Sequence, residues 1–152
     1  MREPLVSKVL KFILYVMFAT GILGTITLPW MIDTYMHILY DAYYLQSGYR
    51  LFIVSFLMLC AIIVLWVIWE MICMLRSVPK GPFIMHNVNA LKRIGIFLMV
   101  LAALFFVKCL YYVTFLTMAC GFLFIVCGLF AFTLCNLFRQ AVVFKEENDL
   151  TI

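Results

Sequence analysis

The sequence predicts an all-α integral membrane protein, a four-transmembrane-helix bundle with both termini in the cytoplasm. Three observations carry that prediction. Of 152 residues, 68% are hydrophobic and only 12% charged, whereas an ordinary soluble domain is about half apolar and about a quarter charged. Uncharged residues fall in runs long enough to cross a bilayer. The basic residues gather on one side of those runs, as the cytoplasmic side of a membrane protein does. A chain this short has no water-facing core large enough for so much apolar surface, and its mean hydropathy of +1.16 makes lipid its natural solvent.

The first run, Phe12–Ile32, holds 21 residues without a charge. At about 1.5 Å of rise per residue, about 20 residues cross the ~30 Å hydrocarbon core. A helix is therefore expected over 10–32. It is longer than a signal-peptide apolar region and no A-x-A site follows it, so a retained helix is expected. Leu51–Trp69 gives 19 uncharged residues and resumes after Glu70, which predicts a second helix over 51–75. Ile94–Val107 and Cys109–Phe138 give 14 and 30, divided only by Lys108. Together they suit two helices, 91–112 and 117–138, with a tight turn near Tyr111 to Thr117. β-Barrel strands would alternate polar and apolar residues over segments of about ten, and these runs do not. The chain thus reads as one membrane domain, 1–152, with an outer loop 33–50, a cytoplasmic loop 76–90 and a cytoplasmic tail 139–152.

Arg2, Lys8, Lys11, Arg76, Lys80, Lys92, Arg93, Arg139 and Lys145 lie on the side assigned to the cytoplasm; Arg50 and Lys108 lie on the other. Fusing the last two helices would break this division. Aromatic residues agree with it, since Trp30, Tyr111 and Tyr112 fall at predicted outer ends and Trp66 and Trp69 toward an inner end, where polar-edged rings favour the headgroups. The Lys108 ammonium is expected to reach outward to water along its aliphatic stem. With this topology the first partner is the lipid bilayer.

Chemistry-bearing constellations are sparse. The six cysteines all fall in predicted helices without a C-x-x-C pair, and act there as small hydrophobes. Asp33, His37 and Asp41 stand at i, i+4 and i+8, one side of an interfacial helix. They are weak candidates for a metal or proton-sensing site, set against the plain wet face of an amphipathic segment. No nucleophile–base arrangement or glycine-rich phosphate loop is present, so no catalysis and no cofactor are expected. Glu70 is the one charge inside a predicted span. An intramembrane carboxylate is costly and often functional, which keeps open a small transporter or efflux component. Its place about 28 Å along the helix from Leu51 instead suits pairing with Arg76, Lys11 or Arg139 at the inner interface. Gly21, Gly24, Gly121 and Gly128 permit close helix approach, within one chain or in a homo-oligomer.

The stretch "KGPFIMHNVNALKRIG", residues 80–95, sets three basic residues and two asparagines between two apolar runs. Pro79, Gly81 and Pro82 end the second helix, and a helical pattern resumes from Asn87. "LRSVPKGPFIMHNVNALKRIG" (75–95), with "LFRQAVVFKEENDLTI" (137–152), resembles the bacterial membrane family catalogued as domain of unknown function 2975. Gly81, Pro82, Phe83, Asn87, Leu91, Ile94 and Gly95 fall on the family pattern, as do Phe138, Arg139, Glu147, Asp149, Leu150, Thr151 and Ile152. Where members carry a polar cap and an acidic residue, this chain has Ile84, Met85 and His86. The resemblance implies a four-helix plasma-membrane protein without assigned catalysis, encoded beside a small cytosolic helix-turn-helix regulator. It thereby suggests a membrane regulator or sensor that binds that regulator, with no direct nucleic-acid contact of its own. Gly81, Pro82, Phe83, Asn87, Lys92, Arg93, Arg139, Glu146, Glu147 and Asp149 are the candidate docking residues; acidic ones suit a basic DNA-reading surface. Two alternatives stand beside it. The basic loop can simply set topology and attract anionic lipid, and the chain can be a structural or immunity-type membrane protein.

Overall fold

The structure, a computed structural model, describes residues 5–39, 47–77, 84–111 and 113–150; at 35–39, 47, 49, 146 and 148–150 it describes the backbone alone. Four helices make up the described residues, with no strand among them: α1 (Leu5–Leu39), α2 (Ser47–Ser77), α3 (Met85–Tyr111) and α4 (Phe115–Leu150). Each contains a segment long and apolar enough to cross a membrane: Leu5–Thr34, Arg50–Ser77, Met85–Tyr111 and Phe115–Lys145. Large apolar side chains such as Phe12, Leu23, Ile26, Leu51, Leu123 and Phe130 face outward. A water-soluble monomer rarely exposes so much contiguous apolar surface, and four such helices point to a multi-pass membrane protein.

Each helix extends past its predicted span at one end or both, α3 at its start alone. α1 continues to Leu39 and α2 begins at Ser47, both inside the expected outer loop 33–50. α3 starts at Met85, inside the expected cytoplasmic loop, and α4 continues through most of the expected tail. The reason is physical. Uncharged runs report which residues suit hydrocarbon, whereas a helix ends only where its backbone hydrogen bonds stop. Residues such as Lys145, Glu146 and Glu147 are good helix formers in water. α3 ends at Tyr111 and α4 starts at Phe115, both inside the interval predicted for the turn, and the Thr114 carbonyl accepts the Met118 amide at 3.1 Å to start α4.

Neighbouring helices are antiparallel. Leu14 of α1 packs with Ile68, Ile72 and Leu75 of α2, and Asp33 meets Arg50 at the other end. Glu70 meets Arg93, while Phe56 and Phe105 stand edge-on at 5.4 Å and Phe52 and Tyr111 are tilted at 5.3 Å, setting α2 against α3. Val88 and Leu91 of α3 pack with Cys135 and Val142 of α4. Among the described residues, close backbone approach joins only consecutive helices. The expected bundle is therefore an open one: α1 leans on α2 and does not close against α4.

Glycine placement explains much of this. In lipid, helices gain little from hiding apolar surface, so close approach through small residues decides which pairs form. α3 and α4 meet at three glycines. A Cβ on Gly95 would stand 2.9 Å from Phe132 Cε1, one on Gly128 3.0 Å from Met99 Sδ, and one on Gly121 3.3 Å from Phe106 Cε2. Gly24 of α1 has nothing within 4 Å of that position. These surroundings predict opposite signs for one substitution. Gly24→Ala is expected to stabilise by about 0.5 kcal/mol or more through reduced backbone entropy. In Gly95→Ala the same gain is outweighed by an overpacking cost of about 1–3 kcal/mol. Unfolding of both variants in mixed micelles checks this; a Gly95→Ala protein as stable as Gly24→Ala would mean that the α3–α4 seam is not close-packed.

Candidate functional site

The polar side chains of the described helices concentrate at one end, shared by the start of α1, the end of α2, the start of α3 and the later turns of α4. Glu70 is its most constrained member. It is 7% exposed, and Arg93 grips it with two parallel hydrogen bonds, Nε to Oε1 at 2.7 Å and Nη2 to Oε2 at 2.9 Å. Planar guanidinium suits a carboxylate in this fork geometry. The expected partners Arg76, Lys11 and Arg139 are not the ones that take it, because the antiparallel register sets the third turn of α3 opposite Glu70. Arg93, a candidate docking residue, is thus spent inside the fold. Arg76 turns the other way. Its Nε donates to Tyr15 Oη at 2.8 Å, Nη2 bonds the same oxygen, and the guanidinium lies 5.5 Å from the Tyr15 ring centre and 5.8 Å from that of Trp69. This clasp ties α1 to α2.

Asn87 also leaves the docking surface. It is 2% exposed, and its Oδ1 shares the single Ser77 hydroxyl proton with the Met74 carbonyl, which lies 2.7 Å from Ser77 Oγ. Ile84 stands before the first turn of α3 with no side-chain acceptor. Its carbonyl takes the Asn87 amide at 2.9 Å and the Val88 amide at 3.4 Å. Cys135 Sγ donates to the Val88 carbonyl at 3.3 Å, adding α4 to the junction. A backbone carbonyl satisfied by a thiol is an ordinary use of a buried cysteine. Gly81, Pro82 and Phe83 lie outside the described residues.

Beside this junction α3 and α4 enclose a cleft of about 550 Å³. Lys92 and Asn89 come from α3, Arg139 and Asn136 from α4, over a floor that includes Val88 and Phe132. The two candidate docking cations Lys92 and Arg139 are therefore brought together, in a cleft rather than on an open face. Beyond it α4 continues to Leu150, with Glu147 exposed; the side chains of Glu146 and Asp149 lie outside the described residues.

The opposite end is simpler. Asp33 and Arg50 form a second fork, Nε to Oδ1 at 2.7 Å and Nη2 to Oδ2 at 2.6 Å. Asp33 and His37 do fall one turn apart on α1. The His37 side chain and Asp41 lie outside the described residues, and Asp33 is drawn into the fork. Among the described residues no group of three His, Cys, Asp or Glu side chains could hold a metal ion. Lys108 differs from its expected outward reach. Its Nζ donates to the buried Thr117 Oγ1 at 2.9 Å and lies 5.9 Å from the Phe56 ring centre, bracing the α3–α4 turn.

No curated protein and no solved structure matches this chain. A family model does, over residues 34–152, with the description "Protein of unknown function (DUF2975)". The match takes in α2, α3, α4 and only the last turns of α1, the helix that packs on a single neighbour. It agrees with the resemblance carried by 75–95 and 137–152, and by it the chain belongs to the DUF2975 family.

Proposed function

We propose that this chain is a non-catalytic integral protein of the plasma membrane, both termini cytoplasmic, that holds a small cytosolic helix-turn-helix regulator at its cytoplasmic end. The observation that carries this reading is the course of α4. It remains helical to Leu150, whereas its packing against α3 reaches Val142. Helix α4 thus runs about two turns past Val142, the last residue of that cluster, and those turns are read as a helical handle. Acidic residues at 146, 147 and 149 suit the basic surface with which such regulators read DNA. The chain itself has no nucleic-acid contact in this scheme. Transport through Glu70 is the weaker reading, since both carboxylate oxygens are already held by Arg93; Glu70→Gln leaving uptake or resistance unchanged would exclude Glu70 as a coupling group.

The test is co-purification from native membranes, with the captured protein identified and its DNA binding measured. Removing 145–152 spares Val142, which is 3% exposed in the α3–α4 cluster, so a folded chain without the handle is obtained. A helix-turn-helix protein is expected with the intact chain and is expected to be lost on truncation. Absence of any DNA-binding protein from the intact chain sinks the proposal. A reporter fused after Ile152 is expected to be active only in the cytoplasm.

A further inference from the structure

The α3–α4 cleft has a composition that packing does not require. Asn89 and Lys92 stand one turn apart on α3, and Asn136 and Arg139 one turn apart on α4. All four are exposed, and none has a hydrogen-bond or ion-pair partner among the described residues. Among the described residues no carboxylate lines the cleft; Glu70, the buried acid of this end, is neutralised by Arg93. Two cations and two carboxamides thus face one space without a counter-charge among the described residues. A phosphate oxygen accepts hydrogen bonds from all of these groups, and those from ammonium and guanidinium are the strong, charge-assisted kind.

Size and floor select among phosphate-bearing ligands. The volume, about 550 Å³, lies in the range of sites that enclose whole small molecules and far exceeds what a bare phosphate fills. Met85, Val88 and Phe132 give the cleft an apolar wall, which an inorganic anion would not use. A phospholipid uses both: its phosphate meets the polar rim while glycerol and the first acyl carbons cover the apolar wall. Basic pockets between transmembrane helices on the cytoplasmic side hold anionic headgroups in this way.

We propose that this cleft is a discrete site for one anionic phospholipid, its phosphate held by Lys92 and Arg139 with Asn89 and Asn136. The proposal rests on the membrane reading above and is independent of the regulator.

The experiment measures lipid retention by native mass spectrometry on the delipidated full-length protein. The probes are phosphatidylglycerol, phosphatidylcholine and glycerol 3-phosphate. One phosphatidylglycerol per chain is expected to be retained, with neither of the other probes. Lys92→Gln combined with Arg139→Gln is expected to weaken that retention about tenfold or more, the loss of two charge-assisted contacts. Lys8→Gln combined with Lys145→Gln removes the same charge from the same end outside the cleft and is expected to leave retention unchanged. Equal loss in the control pair would overturn the site in favour of a diffuse surface field. Equal retention of phosphatidylcholine would overturn the role of net charge, and glycerol 3-phosphate binding as tightly as the lipid would overturn a lipid occupant. If the double variant does not elute as folded protein, Arg139→Gln alone is expected to show a smaller loss in the same direction, and Arg139→Lys to restore part of it.

Discussion

Arg93→Met is expected to cost about 3 kcal/mol, because it leaves the buried Glu70 carboxylate without the cation that grips it. Removing one partner of a buried pair spans about 3–5 kcal/mol, and the half-exposed guanidinium places this case at the low end, since water reaching Arg93 can partly reach its partner. The converse variant, Glu70→Leu, is expected to cost much less, about 1 kcal/mol, the value of a typical intramolecular hydrogen bond. Arg93 is 45% exposed and Glu70 only 9% at the side chain, so a bereaved arginine can carry its charge to the headgroups along its stem. Glu70 has no such escape. Glu70→Leu combined with Arg93→Met should recover most of the loss, because well-packed apolar residues often replace a buried pair without penalty. Reversible unfolding in mixed micelles measures all three. Equal costs for the two single variants would mean that Glu70 is solvated in the membrane-embedded protein and that the pair does not organise the α2–α3 contact.

That ion pair also shows where sequence reasoning stops. Four helices were legible because a bilayer leaves a coarse signature, an uncharged run of fixed length, that needs no knowledge of neighbours. Arg93 and Lys92 were legible as basic residues near the cytoplasmic side and nothing more, since both count equally toward topology. Their different fates follow from register. In an antiparallel hairpin, residues at similar distances before and after the connecting loop share a depth. Glu70 is seven residues before the end of α2 at Ser77, and Arg93 is eight after the start of α3 at Met85. That symmetry was available in principle. It needed helix ends, and these were misplaced by several residues because apolarity marks the solvent and not the last backbone hydrogen bond.

The open arrangement was less legible still. Each helix is apolar on nearly every face, so no stripe distinguishes a side meant for lipid from one meant for a partner. Gly21 and Gly24 look alike in the sequence. One would place a Cβ 2.8 Å from Leu65 Cδ2 and the other faces open space. The α3–α4 cleft is a further case. Asn89, Lys92, Asn136 and Arg139 come from segments more than forty residues apart, and only the register set by Gly95 and Gly128 brings them together.

Asn87 is the residue for which a turn and a docking surface were indistinguishable, and its burial predicts a stability phenotype. Asn87→Ala is expected to cost about 2–3 kcal/mol, the upper part of the range for stranding buried hydrogen-bond partners. Ser77→Ala is expected to cost less, about 1 kcal/mol. The asymmetry has a cause in the geometry. When Asn87 is shortened, the Ser77 hydroxyl keeps the Met74 carbonyl at 2.7 Å, but the rest of the amide's interactions are lost and a void opens where α2 ends and α3 begins. When Ser77 is shortened, the amide loses one donor and its packing survives. Because the two side chains share a bond, their effects should be non-additive by about 0.5 kcal/mol or more. The measurement is a double-mutant cycle by unfolding in micelles, with capture of any cytosolic partner by the folded variants run alongside. Loss of capture in an Asn87→Ala protein of unchanged stability would return this residue to the docking surface; loss of stability with capture intact is what its burial between Ser77 and the first turn of α3 requires.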